Sequence, residues 1–217
     1  MPKARTAADA RHNDPDVTRN NILEVAAREF ADKGLAGARI DEIAEKTNSS
    51  KRMIYYYFGG KEELYRAVLE RSYSSIRARE AAANFESQSA DQALRSQIEH
   101  TFDYHVEHPE FVRLVMNENI HHGAHIGHVD GLKERNKSVI ASLKAIIDKG
   151  VAAGIFRSGI DPVELHMSIS ALCFYNVSNR YTFASNFGVD MASAETLAKR
   201  RAQVADIILA WAMPSRA

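Results

Sequence analysis

Residues 40–65 read IDEIAEKTNSSKRMIYYYFGGKEELY, and that stretch limits what the chain can fold into more than any other. Ile40, Ile43 and Ala44 recur at spacings of three and four, which puts them on one face of a helix and leaves Asp41, Glu42, Glu45 and Lys46 on the wet face. Thr47, Asn48, Ser49 and Ser50 follow as turn formers. Asn48 tolerates the left-handed conformation, and the Ser50 hydroxyl suits the N-cap of a new helix that starts at Lys51. In that second helix Ile54 and Phe58 are four apart and face the core, so Lys51, Arg52, Met53, Tyr55, Tyr56 and Tyr57 lie on or near the surface. Gly59 and Gly60 stop the helix, because glycine accepts the left-handed cap at little steric cost, and Lys61, Glu62 and Glu63 open the next one.

A helix of about nine residues, rising about 1.5 Å per residue, is roughly 12–14 Å long, which matches a DNA major groove about 12 Å wide. Residues 46–61 carry Lys46, Lys51, Arg52 and Lys61 and no acid, whereas the whole chain balances 28 basic against 28 acidic side chains. A chain near neutrality has no general attraction for polyanions, so affinity for DNA must come from this local surface and from the basic residues of the N-terminal tail. Three consecutive tyrosines flanked by lysine and arginine are a costly way to make an ordinary solvated face.

AAREFADKG at 26–34, DEIAEKT at 41–47, SSK at 49–51 and IYYYFGGKEELY at 54–65 occur together and in order. Over residues 17–65 the chain resembles the DNA-binding domain of the tetracycline-repressor (TetR) family of bacterial transcription regulators. The resemblance implies that Lys51, Arg52, Met53 and Tyr56 meet bases and that Tyr55, Tyr57 and Lys61 clamp phosphates, with Arg39 and Ser50 beside them at the two helix starts. It further implies a repressor that holds a palindromic operator as a homodimer until a small-molecule effector releases it. Three positions depart from the family pattern. Arg39 stands where the family commonly has a capping Ser or Thr that touches a phosphate; arginine reaches a phosphate but caps poorly. Arg52 and Met53 stand where the family often has a small residue and a Thr, which makes the base preference particular to this chain. Gly60 replaces the usual Ser or Asn before Lys61, at a cost of about a few tenths of a kcal/mol.

The 217 residues are 45% hydrophobic, enough for a substantial core in one or two domains. No run approaches the roughly 18 apolar residues of a membrane span, and residues 1–16 contain no apolar run that could serve as a secretory signal; a cytoplasmic protein is expected. The single cysteine, Cys173, lies in the apolar run ISALCFY and reads as a buried structural thiol. Residues 1–16, with Lys3, Arg5 and Arg11, read as a disordered basic arm suited to a minor groove beside the operator.

Beyond the motif the pattern predicts helices throughout, an all-α chain of about nine, with breaks at residues 84–89, 108–109, 123–131, 154–162 and 185–193. A first helix over 17–33 carries Ile22, Val25, Ala26 and Phe30 on one face and ends at Gly34. The helix opening at Lys61 runs through Leu64, Ala67 and Val68 toward Ala81. A DNA-binding domain over 17–65 therefore passes within a helix into an effector-binding and dimerisation domain over 66–217, and that helix is a candidate lever. Two stripes at four-three-four-three spacing, Met167, Ser170, Phe174, Val177 and Tyr181, and Leu197, Arg201, Val204, Ile208 and Trp211, fit either the core of one chain or a partner's helices. The family resemblance favours a four-helix dimer interface. So does the need to hold two short reading helices about 34–36 Å apart on DNA.

Polar side chains inside apolar helices mark the effector site: Tyr104 and His105, Asn117 and Asn119, and Asn176, Asn179 and Arg180. A competing account gives them to one another and to the backbone. Arg180 suits a carboxylate, so an anionic metabolite is one class of effector. An alternative function rests on His121, His122, His125 and His128 with Glu118 upstream. Were the segment helical, His121, His125 and His128 would share a face fit for zinc or nickel, as in a metal sensor or, more remotely, a metal hydrolase. Gly123 and Gly127 oppose a helix there, so neither a metal nor another cofactor is expected. No Gly-rich phosphate loop, GxSxG elbow or HExxH pair is present, and nothing in the sequence points to catalysis.

Overall fold

The computed structural model describes residues 14–83 and 87–214. Ten α-helices account for most of them: α1 (Pro15–Gly37), α2 (Ile40–Lys46), α3 (Lys51–Phe58), α4 (Lys61–Ala82), α5 (Ala90–Glu107), α6 (Pro109–Ile120), α7 (Leu132–Ala152), α8 (Pro162–Ser178), α9 (Arg180–Phe187) and α10 (Ala194–Ala212). A 3-10 turn covers Ile126–His128, and no strand occurs among the described residues. The fold is all-α, as the periodicity predicts. The basic residues Lys3, Arg5 and Arg11 of the expected arm lie outside the described residues.

The chain forms two compact units. The first comprises residues up to Tyr73 together with Arg113–Asp130; the second comprises Ser74–Val112 and Gly131 onward. In the first, α1 begins two residues before the expected Val17, because Asp14 caps it by accepting from the Asp16 amide at 3.0 Å and Pro15 takes the first helical position. Its regular turns end at Gly34, whose φ of 66° and ψ of 174° break the helix. Ile22, Ala26 and Phe30 of α1 close over Ile43, Ile54, Leu64, Val68 and, from the returning segment, Leu114. The Tyr65 ring meets Phe30 edge-on with centroids 5.0 Å apart.

The second unit packs α5, α7, α8 and α10 around Leu94, Ile98, Phe102, Leu143, Leu165, Ile169 and Val204. Cys173 is buried in this core, and burial pushes its thiol up to about 12, so it is an inert packing residue. Gly150 is the close-approach position: a Cβ there would fall 2.0 Å from the Phe156 ring. One expected helix divides in two. The polar run NVSNR ends α8 at Ser178 and starts α9 at Arg180, with Asn179 at the junction and the Thr182 hydroxyl donating back to its carbonyl at 3.1 Å. Tyr181 therefore sits on α9, so the stripe that begins at Met167 on α8 is not a single helical face.

Candidate nucleic-acid interface

The turn between α2 and α3 is built as its residues dictate. The Thr47 hydroxyl donates to the Ile43 carbonyl at 2.8 Å, Asn48 takes a positive φ of 51°, and the Ser50 hydroxyl accepts from the Met53 amide at 3.2 Å. Arg39 occupies the N-cap position of α2 with no side-chain cap bond. With Ile54 and Phe58 buried, α3 leaves Lys51, Arg52, Met53, Tyr55 and Tyr56 exposed, and Tyr56 reaches 79% exposure. Tyr57 is half-buried against the core and meets Tyr56 edge-on at 5.4 Å, which stiffens the projecting phenol. Lys61, at the start of α4, donates from Nζ to the Ala36 carbonyl at 3.2 Å, so its ammonium is held at one position while keeping further N–H bonds to give.

The bases of this region divide by environment. Lys46, itself exposed, has its ammonium 2.5 Å from Glu29, a buried carboxylate of α1 that also pairs with Lys33, while Lys33 in turn pairs with Glu42. Burial pushes the Glu29 carboxyl up, but hydrogen bonds from Lys33 and Lys46 outweigh it and hold the group at about 2. This network fixes α2 on α1, and sequence spacing gave no sign of it, since Glu29 falls on the apolar side of α1. Lys51 pairs with Asp41 at 2.6 Å, and its hydrogen bond keeps the Asp41 carboxyl below the ordinary range. Arg19, outside the motif, lies with its guanidinium 5.2 Å from the Phe58 ring centre.

The residues expected at an effector site separate between the two units. Asn117 and Asn119 belong to the first: Asn117 donates to the Phe30 carbonyl at 3.1 Å, and Asn119 bonds back to Val115 of its own helix at 2.8 Å. In the second unit, Asn176 and Arg180 line one cavity of about 220 Å³ with Val106, Met191 and Leu197. Asn176 is 2% exposed, and its Oδ1 has no hydrogen-bond partner. Asn179 lies beside that pair and accepts from the Ser178 hydroxyl at 2.6 Å. Tyr104 and His105 are buried; His105 stacks on Phe111 at 5.8 Å, meets Phe174 edge-on at 5.9 Å, and leaves Nδ1 without a hydrogen bond. Burial holds its pKa down at about 4, so the ring is neutral at pH 7.

The histidine segment is not a helix. α6 ends at Ile120, His122 takes a left-handed φ of 56°, and only the short Ile126–His128 turn follows. His121, His125 and His128 thus lose the helical face that a shared metal would have required. Among the described residues no group of three or more His, Cys, Asp or Glu side chains is arranged to hold a metal ion. Glu118 instead organises the loop. Its buried carboxylate accepts from the amides of His125 at 3.1 Å and Ile126 at 2.9 Å, and from the His125 ring at 3.1 Å. Burial pushes the carboxyl up, but these amides and the Tyr65 hydroxyl outweigh it and leave it below the ordinary range.

The apolar stripes divide likewise. Val204 is fully buried and Ile208 nearly so, both inside this chain's own core, with Leu197 packed against it, and Val177 is buried as well. Arg201 is held by Asp103 at 2.8 and 2.9 Å. Ser170 and Phe174 are half-buried, while Met167, Tyr181 and Trp211 remain exposed, joined by Val163 and Tyr175 on α8 and Ile207 on α10.

Comparisons with known proteins agree along the length of the chain. Residues 22–68 match the model of bacterial regulatory proteins of the tetR family, and residues 91–208 match a tetracyclin repressor-like C-terminal domain. The chain is 38% identical over 194 residues to the HTH-type transcriptional repressor NicS of Pseudomonas putida, covering 89% of this chain and 92% of that protein. It is 34% identical over 139 residues to the HTH-type transcriptional repressor SCO4008 of Streptomyces coelicolor, covering 64% and 69%. Among solved structures, a tetR-family bacterial regulatory protein from Rhodococcus RHA1 superposes with a TM-score of 0.71 at 20% identity, over 92% of this chain and 98% of the other, a likeness of fold.

Proposed function

Because the chain belongs to the tetR family of bacterial regulatory proteins, we propose that it is a ligand-responsive transcriptional repressor whose α3 enters the major groove of a palindromic operator, one copy per half-site. The observation that carries this reading is the composition of one small surface. A capped eight-residue helix presents Lys51, Arg52, Met53, Tyr55 and Tyr56 outward, over a core that holds its other face. Arg52, Met53 and Tyr56 are the base readers. Lys51 sits among them paired to Asp41 and must leave that partner to meet a base, which favours guanine O6 and N7 through electrostatic gain over a weak exposed pair. Tyr55, Tyr57, Arg39 and Lys61 serve the phosphates, with the Ser50 amide and hydroxyl at the helix N-terminus.

The test separates clamp from reader. Replacing Lys61 by Ala weakens binding to all DNA sequences alike and flattens the slope of log affinity against log salt by about one unit for each phosphate set free. Replacing Arg52 by Ala costs about 1–3 kcal/mol at one base position and relaxes preference there. Fluorescence anisotropy on a selected operator and its single-base variants, at two salt concentrations, reads both. Identical behaviour of the two variants sinks the assignment.

The effector site in this reading is the Asn176–Arg180 cavity. A buried amide oxygen without a partner is costly unless something donates to it, and a ligand N–H or O–H would do so while Arg180 meets an anionic group. The ligand must prefer the state that does not bind operator, since equal affinity for both shifts nothing. Asn176→Leu removes the unsatisfied acceptor, so the ligand-free protein loses less than about 1 kcal/mol of stability. The same change abolishes effector-induced release in operator titrations. A variant that still responds at wild-type ligand concentrations removes Asn176 from the site.

A further inference from the structure

Among the described residues, most basic side chains of the first unit are neutralised by the fold itself. Arg28 pairs with Glu24, Lys33 and Lys46 with Glu29, Lys51 with Asp41, Arg66 with Glu63 and Arg113 with Asp32. Arg39, Arg52 and Lys61, which the proposed function gives to DNA, make no ion pair with a described residue, and Arg71 spends its guanidinium on the Asn20 carbonyl at 2.8 Å. Arg19 is the remaining cation. It is exposed and makes no ion pair or hydrogen bond with a described residue, Asp16 one turn back on α1 included. Its direction is nonetheless set. Residues 19, 22, 23 and 26 share one side of α1, and Ile22, Leu23 and Ala26 are buried there. Arg19 thus extends the core-facing stripe by one turn, toward α3, and its guanidinium lies 5.2 Å from the centre of the Phe58 ring, at the last residue of α3. A ring face accepts no conventional N–H bond, so the five N–H groups of Arg19 stay unspent. Tyr55, the helical neighbour of Phe58 one turn earlier, is 50% exposed.

We propose that Arg19 is a further DNA contact, a guanidinium that clamps an operator phosphate at the flank of α3 together with the Tyr55 hydroxyl. This role rests on the reading of α3 as the helix that enters the groove. Phosphate is the group such a side chain selects, because a planar cation held by its face presents its edge to two oxygens of one anion. The contact is separate from that of Lys61. The turns of α1 between Arg19 and Gly34 run roughly 22 Å at about 1.5 Å per residue, and Lys61 is tethered just beyond, at Ala36. Phosphates of one strand follow one another every 3.4 Å or so along the DNA axis, so cations at the two ends of α1 meet different phosphates.

The experiment measures fluorescence anisotropy of the full chain on a selected operator and on random DNA, over a range of salt, for wild type, Arg19→Met, Arg19→Gln, Arg19→Lys and Lys61→Ala. Methionine keeps an apolar cover over Phe58 and removes only the charge, so Arg19→Met melts within about 2 °C of wild type. It weakens both DNAs alike, by about fivefold per bound copy near 0.15 M salt, and flattens the slope of log affinity against log salt by about one unit per copy. Arg19→Gln repeats this loss, and Arg19→Lys retains the slope. Operators with one phosphate replaced by a neutral methylphosphonate locate the contact. One replacement that weakens wild type leaves Arg19→Met unaffected, and it is not the one to which Lys61→Ala becomes indifferent. An unchanged slope in both neutral variants, a slope flattened equally by Arg19→Lys, or a methylphosphonate profile identical to that of wild type overturns Arg19 as a phosphate contact. Any of these beside a flattened slope in Lys61→Ala leaves the reading of α3 intact. A wild type that prefers no sequence over random DNA overturns that reading, and the role of Arg19 with it.

Discussion

Replacing Glu118 by Ala lowers the thermal midpoint by roughly 6–12 °C, the shift that about 3 kcal/mol produces in a chain of this size, and costs operator binding although Glu118 is not among the residues proposed to contact DNA. The carboxylate is 3% exposed and accepts from two backbone amides, an imidazole and a phenol. Removing it leaves the His125 and Ile126 amides and the Tyr65 hydroxyl inside the first unit with nothing to donate to. The Tyr65 hydroxyl is buried and the two amides partly so; a fully buried donor so stranded costs about 1–3 kcal/mol, and water entering from the cavity that Glu118 itself borders recovers part of it. Glu118→Gln keeps one acceptor oxygen and loses about half as much. The dependence on pH follows from the carboxyl being held below its ordinary value of 4.5. A depressed acid contributes stability that is complete above the unfolded value and drains away as pH falls through the folded one. Wild type therefore loses stability below about pH 4.5 more steeply than Glu118→Gln, whose side chain does not titrate. A variant melting within about 2 °C of wild type at pH 7 shows that the loop finds other partners and removes Glu118 as its organiser.

What could be read in the sequence, and what could not, follows the range of the interactions. The turn at 47–50 and the caps of α3 are set by neighbours within four residues, so Asn48, Ser50 and Gly59 announce them. The Glu29–Lys33–Lys46 cluster joins residues up to 17 apart, and Glu118 draws on Tyr65 and a loop, so nothing local distinguishes either acid from a solvated one. Asn179 was legible in principle: Ser, Asn and Arg in succession favour local side-chain bonds over helix, but a long apolar run on one side concealed the break. The effector residues illustrate the same limit. Asn117 and Asn176 look alike as amides in apolar helices, yet one donates to Phe30 in the first unit while the other keeps an unpartnered oxygen beside a cavity in the second. Chemistry types were readable; which partner answers each was not.

The proposed dimer interface turns on a one-residue phase that periodicity alone cannot supply. A repeat of four and three fits the core side of α10 as well as its outer side, and the structure gives Val204 and Ile208 to the core and leaves Ile207 and Trp211 exposed, at 44% and 43%. On α8 the exposed series is Val163, Met167 and Tyr175, spaced by multiples of four and so confined to one side of the helix. Apolar residues left outside in this number on adjacent final helices form a face that water does not favour, and a second copy is the partner that operator symmetry asks for. The double substitution Met167→Glu with Ile207→Glu places two charges on each copy's face and yields a monomer in sedimentation. Operator binding then falls toward sequence-independent binding, by roughly a thousandfold or more, because a single α3 reads only half a site. Ile208→Ala serves as the contrast: it costs about 2–5 kcal/mol of stability by emptying core volume, yet the folded fraction still dimerises. Should Ile208→Ala dissociate the dimer while the double charge variant leaves it intact, the face lies one residue round the helix, with Ile208 meeting the partner.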